Sequence, residues 1–172
     1  MSDETSDVRL GVILHPQREP RERLLAGFAA ALRERGTDVG GLVQRTSHDA
    51  DGDLRMELTD LRTGRIYVIS EKLGPGSSAC CLSAPALIEA SQVLRREIEA
   101  PPALLVVSKF AGLEAEGRGL APDMFEAVSR GIPVLTTLAS HHKPRWDTLA
   151  GGVGTMLPAE EEALWRWWEG TK

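Results

Sequence analysis

Apolar and polar positions switch between two periods along this chain, and the switches mark out its elements. Residues 8–14, VRLGVIL, form a short apolar run with β-branched members, which predicts a buried strand. Pro20 then opens a stretch in which Leu24, Leu25, Phe28 and Leu32 recur at helical spacing until Gly36, a predicted first helix. DVGGLVQR predicts the next strand. DLRMELTD and GRIYVISE alternate on either side of LRTG, the signature of a local antiparallel hairpin. Gly-Pro-Gly marks KLGPGSSACCL as a loop, after which Ser83 caps a helix that carries Leu87, Ser91, Leu94 and Ile98 on one face and ends before Pro101. ALLVVS is the most uniformly apolar stretch, as a central parallel strand covered on both faces requires. Pro122 sits near the first turn of a helix containing Met124, Phe125 and Val128 that Gly131 ends, and IPVLTTL predicts another buried strand. The remainder predicts a loop with His141 and His142, a short helix, a strand over 153–157 and a terminal helix opened by acidic residues.

Strands alternating with helices imply right-handed crossovers. The expected architecture is therefore an α/β three-layer fold, with a mainly parallel sheet and an antiparallel hairpin inserted after the second strand. Such sheets bind ligands beyond the carboxyl ends of their strands. Those ends are the loops at His15, Arg45, Lys109 and His141.

Composition narrows the class. The 172 residues suit a single domain over 1–172, with 1–7 expected to be disordered. At 42% hydrophobic and 26% charged the chain is globular, and no stretch approaches the roughly 18–20 apolar residues of a membrane helix. MSDETSD resembles no signal peptide, so a cytoplasmic protein without a membrane partner is expected. Cys80 and Cys81 are adjacent, which excludes a disulfide framework, and a net charge of -5 argues against a nucleic-acid partner. The expected ligand is small.

Two stretches carry a family resemblance: LGPGSSACCL after the hairpin, and LLVVSKFAGLEAEGRGLAPDMFEAVSRGIPVLTTL over 104–138. Their order and wording resemble an uncharacterised bacterial family with the architecture of the small P-loop nucleoside-triphosphatases, often encoded near molybdate transport genes. The likeness covers nearly the whole chain. Ser108 stands where the family pattern has Asn, and Ala111 where it has Gly. In the active triphosphatases a Gly-rich Walker A loop and its lysine hold the phosphates, and acidic residues at the end of the central strand serve Mg²⁺. Here HPQREPRE has neither glycine run nor Lys-Ser/Thr, and Lys109 follows the strand instead of Asp-Glu. The resemblance thus implies a P-loop NTPase-like fold with a degenerate Walker A segment, and transfers the position of the site without the activity.

The first loop offers His15, Gln17, Arg18 and Arg21 beside a helix N-terminus, whose free N–H groups and partial positive charge favour an anion. The alternative is a solvated loop whose charges pair with Glu19 and Glu22. Lys109 reads either as an oxyanion-binding ammonium or as a structural partner of Glu114 or Glu116. GLEAEGRG has the composition of a mobile loop in which Glu116 positions water or a metal, or in which the paired carboxylates are incidental. His141 and His142 either contact a ligand or lie on the surface. Arg45 completes the ligand-binding set, and no metal site is spaced into the chain. Cys80 reads as a small buried hydrophobe or a soft ligand. Trp165, Trp167 and Trp168 crowd the terminal helix, where core packing and a homodimer contact both apply.

The leading functional expectation is an accessory protein that binds a small anion, either an oxyanion or a phosphorylated molecule, at a degenerate nucleotide site linked to molybdenum metabolism. The cofactor is left unnamed. The rival is a nucleotide hydrolase or transferase with unconventional phosphate contacts.

Overall fold

The computed structural model describes residues 8–16, 21–71 and 81–171. Its first half runs β1 (Leu10–His15), α1 (Glu22–Glu34), β2 (Val39–His48), β3 (Leu54–Asp60) and β4 (Ile66–Val68). A short ribbon of β5 (Ser70–Glu71) and β6 (Cys81–Leu82) precedes α2 (Ala84–Glu99). The second half runs β7 (Leu104–Phe110), α3 (Gly112–Ala115), α4 (Ala121–Ser129), β8 (Val134–Ala139), a 3-10 turn (Ser140–His142), α5 (Lys143–Ala150), β9 (Thr155–Pro158) and α6 (Glu161–Thr171). Residues 1–7, expected to be disordered, lie outside the described residues.

The main sheet has seven strands in the order β4-β3-β2-β7-β8-β1-β9. From β2 to β9 the pairings are parallel, while β3 and β4 add antiparallel strands at the edge of β2. Leu104, Leu105 and Val106 of β7 are inaccessible to solvent, as the uniform apolar run implies for a strand covered on both faces. One apolar layer joins Ile13, Leu104 and Val106 to Phe28 of α1 and Trp168 of α6. The opposite layer joins Leu105 and Val107 to Leu94 of α2, Met124 of α4 and Trp146 of α5. This is the three-layer α/β fold that the alternation of elements predicted.

Two elements depart from the sequence reading. Strand β2 runs on to His48, because β3 pairs with it from Leu42 to His48 and supplies the hydrogen bonds that a strand end would lack. The inserted hairpin is thus the outer part of a three-stranded meander. GLEAEGRG, read as a loop, begins with the helical turn α3. The α6 indoles pack against the chain as the core-packing reading expects, Trp165 and Trp167 half-buried. Trp165 meets Phe28 edge-on at 4.9 Å with the Arg35 guanidinium 4.1 Å from its ring centre, Trp167 packs over Gly11, and Trp168 is buried.

At the amino edge of the parallel strands, Gly40 admits an ion cluster and Gly41 admits the close approach of β7. A Cβ on Gly40 would stand 2.4 Å from Glu97 Oε2, and one on Gly41 (φ +118) would stand 2.0 Å from the Val106 carbonyl oxygen. Glu97 then accepts from Arg62 Nε and Nη2, both at 2.7 Å, while Arg96 donates to Asp60 at 2.9 and 3.0 Å. The cluster ties the hairpin turn to α2. Among the described residues, no helix is long and apolar enough to cross a membrane.

Candidate functional site

The parallel strands direct their carboxyl ends to one edge, so β1, β7 and β8 deliver His15, Lys109 and His141 to the same side of the sheet. His15 is the last residue of β1 rather than a loop residue. Its pairing with Ala139 extends the strand, the ring is buried, and Nδ1 lies 2.8 Å from the Pro16 carbonyl oxygen. Gln17 and Arg18 lie outside the described residues. Arg45 lies not in a loop at a strand end but inside the lengthened β2, opposite Glu57, with its side chain exposed.

Lys109 is the penultimate residue of β7, with its side chain 29% exposed. Its Nζ stands 3.9 Å from Oε1 of Glu22, the first residue of α1. The same Glu22 carboxylate accepts from the Thr46 backbone N–H at 2.9 Å and from the Thr46 hydroxyl at 2.6 Å. A carboxylate in the first turn of a helix is favoured by the helix dipole. The chain thus sets an anion of its own at the start of α1 and holds it between Lys109 and β2. The structural partner expected for Lys109 was Glu114 or Glu116, and the ion pair is instead with Glu22.

Glu116 is exposed and lies 3.6 Å from Arg118, and the α3 turn directs Glu114 inward in its place. Glu114 is 7% exposed, and burial pushes its carboxyl up to about 7 against backbone hydrogen bonds from its own amide, Leu120 and Ala111 and against the charge of Lys109. Gly119 (φ +61) makes room for it, since a Cβ there would stand 3.1 Å from Glu114 Cδ. His141 is exposed and stacks on His142 with ring centres 3.9 Å apart. His142 is the ring that senses the site: burial first, then His141 and the Lys109 ammonium, push its imidazole below the usual value.

Beside Lys109 a cavity of about 260 Å³ opens between the β3 arm and α2. Gln44, Ser108, Lys109 and Glu114 line its polar part, and Met56, Leu58 and Leu87 its apolar part. Ser108 Oγ is buried with no hydrogen-bond partner among the described residues. The Ser108–Lys109 peptide is cis, and the pairing of β7 with β8 shifts register between Val107 and Phe110. Cys80 and most of LGPGSSACCL fall outside the described residues.

The sequence reading names His142 beside His141 as a candidate ligand contact and Glu22 and Glu114 only as structural ion-pair partners, and it does not name Thr46. Glu114 had a signal, the glycine five positions on that cradles it. Thr46 had none, since its role depends on β2 running past the expected strand end.

Known proteins are similar to this chain at the level of family and fold. The family model described as "Protein of unknown function (DUF2478)" matches residues 10–167. The Molybdenum import ATP-binding protein ModC 2 of Bradyrhizobium diazoefficiens is 38% identical over 164 residues, a match that takes in 95% of this chain and 18% of that protein. The chain therefore spans less than a fifth of that relative. Among solved structures, the "Solution Structure of a Human Cancer-Related Nucleoside Triphosphatase" superposes with a TM-score of 0.55 at 17% identity, over 76% of each chain. At that identity the fold is what is shared. It is the P-loop NTPase-like α/β fold that the motifs implied.

Proposed function

The chain belongs to the DUF2478 family, and from that premise we propose that it is a binding module, taking a small anion or phosphorylated ligand at the carboxyl edge of its sheet in the service of molybdenum handling. One observation carries the reading. The Lys109 ammonium emerges from a strand buried on both faces and stands 3.9 Å from the carboxylate that opens α1. An ammonium beside a helix start makes an electropositive corner, where the partial positive charge of the helix adds to a full one. In the resting protein Glu22 supplies the negative charge; an incoming oxyanion competes with it for Lys109.

The molybdenum part of the reading is supported by the relative whose name is Molybdenum import ATP-binding protein ModC 2. Molybdate, sulfate and phosphate esters present the same tetrahedral set of charged oxygens, for which charge-assisted hydrogen bonds are the natural contact. HPQREPRE, without a glycine run or Lys-Ser/Thr, favours binding over turnover. The test is calorimetric titration of the wild type and Lys109→Met with molybdate, sulfate, phosphate and ATP at fixed ionic strength. At least one anion should bind, and loss of a charged hydrogen bond should weaken it by roughly tenfold to a hundredfold. Binding of none, or affinity that Lys109→Met retains, overturns the reading.

A second reading is a nucleotide hydrolase or transferase, and Glu114 favours it. A buried carboxyl raised to about 7 beside a lysine has the poise of a general acid or base. Under the binding-module reading no appreciable Mg²⁺-dependent ATP hydrolysis is expected. Turnover near ~1 s⁻¹, an ordinary enzyme rate, that Glu114→Gln abolishes would decide for the enzyme.

A further inference from the structure

Lys109 borders two spaces, the corner at Glu22 and the cavity on the α2 side, and the lining of the cavity narrows the class of ligand. Four polar side chains meet there: the Gln44 amide, the Ser108 hydroxyl, the Lys109 ammonium and the Glu114 carboxyl. Gln44, Ser108 and Glu114 are more than nine-tenths buried, and the Ser108 hydroxyl has no partner among the described residues. A buried hydroxyl left unpaired is costly, so a group that accepts from it is stabilised there. The ammonium donates, Gln44 Nε2 donates one N–H to the Thr46 hydroxyl at 3.3 Å and keeps a second, the enclosed Ser108 hydroxyl donates once its side chain rotates toward the cavity, and a protonated Glu114 donates as well. The polar end is therefore rich in donors. Around it Met56, Leu58 and Leu87 offer only apolar surface.

We infer that this cavity binds a small organic anion: one carboxylate or phosphate-monoester head, received by Lys109, Ser108 and Gln44, on an apolar body packed against Met56, Leu58 and Leu87. The inference rests on the anion-binding reading of Lys109 and adds to it an apolar subsite that an inorganic oxyanion leaves unfilled. Size bounds the occupant. At about 260 Å³ the cavity is smaller than the roughly 300–1,000 Å³ of pockets for drug-sized ligands, which suits a body of one ring.

Proton linkage follows from the placement of Glu114. The charged groups around α3 are Lys109 from β7, Arg118 paired to Glu116, and Arg145 of α5, whose Nε donates to the Ala115 carbonyl at 3.2 Å; His142 faces Lys109. An anionic head beside Glu114 disfavours its ionised form, so binding weakens as pH rises through the range in which Glu114 ionises.

The experiment is calorimetric titration of the full chain with phenyl phosphate, benzoate, inorganic phosphate and benzamide, in the wild type, Met56→Gln, Met56→Leu and Lys109→Met. Met56 is half-buried and packs against the core, so the melting temperature of each variant is read beside its affinity to separate ligand loss from fold loss. Phenyl phosphate should bind about tenfold tighter than inorganic phosphate, and benzoate about tenfold tighter than benzamide, a step of about 1.4 kcal/mol in each case. Met56→Gln should lower the affinity for phenyl phosphate severalfold while leaving inorganic phosphate unchanged, and Met56→Leu should preserve both. Equal binding of phenyl and inorganic phosphate, both dependent on Lys109, overturns the apolar subsite while the proposed function stands. Equal binding of benzamide and benzoate overturns the anionic head. If nothing binds, both readings fall.

Discussion

A carboxyl group in the position of Glu114 is easier to bury neutral than charged. Burial outweighs three backbone hydrogen bonds and the nearby Lys109, and the group titrates at about 7 against an ordinary 4.5. Because the folded value lies above the unfolded one, the stabilising contribution is fully present below about pH 4.5 and is lost as pH rises through about 7. Glu114→Gln removes that dependence. Between about pH 5 and 8 the wild type should lose roughly 1–3 kcal/mol relative to the variant, from the pKa displacement of the one group. Urea denaturation at both pH values measures it, and parallel curves for the two chains would sink the assignment. Gly119 belongs to the same device, since its open α-carbon leaves room for the carboxyl. Gly119→Ala should destabilise by about 1 kcal/mol or more, as a Cβ at φ +61 is strained as well as crowded.

Between elements, the contact that matters joins the start of α1 to the end of β7 across β2. Glu22 bonds Thr46 and faces Lys109, so one carboxylate holds the three elements in register. Glu22→Gln keeps an acceptor for Thr46 and removes the charge that competes for Lys109. Inorganic phosphate or molybdate should therefore bind about threefold to tenfold tighter to that variant, a gain of about 1 kcal/mol at a partly exposed pair. Unchanged or weaker binding by calorimetry would show that no anion competes with Glu22. Lys109 itself was legible, because a cation ending a wholly apolar strand has to emerge at the sheet edge. Its partner was not, because Glu22 is remote in sequence and reaches Lys109 only through the pairing of β2 with β7. Arg45 was misplaced for a related reason: polar residues after DVGGLV read as a strand end, yet β3 supplied a second ladder. Between Glu114 and Glu116 composition is neutral, and the α3 turn chooses which carboxylate goes inward. The alternation of apolar runs, by contrast, is enough to predict the layers, since β1, β7 and β8 are buried on both faces wherever the helices cross.

Over the whole molecule, charge is divided between the two edges of the sheet. At the carboxyl edge Lys109 and Glu114 border a cavity and Glu22 faces Lys109, whereas at the amino edge Asp60, Glu97, Arg62 and Arg96 bond one another. Burial pushes the Asp60 and Glu97 carboxyls up, but hydrogen bonds and charge from Arg96 and Arg62, with Thr63 and the Arg62 amide adding to Asp60, hold both below the ordinary range. For such groups the sign is opposite to that of Glu114: their contribution is present above the unfolded pKa near 4 and is lost as pH falls through the lower folded value. The ion cluster therefore loses stability on acidification and Glu114 on alkalinisation, the two edges of the sheet responding to pH with opposite sign. Arg96→Met isolates the acid side, because it keeps an apolar stem and leaves two carboxylates, each 1% exposed, short of donors. Breaking a fully buried pair costs about 3–5 kcal/mol, but the Arg96 side chain is 43% exposed and water screens it, so about 2 kcal/mol is expected at pH 7. That deficit should shrink as pH falls toward 3, where the deserted carboxyls take up protons and no longer bury charge. Urea denaturation of both chains at pH 7, 5 and 3 reads it directly. A deficit that stays constant with pH would assign the loss to packing of the arginine stem, and the ion cluster would then be no more than a consequence of the fold it was held to secure.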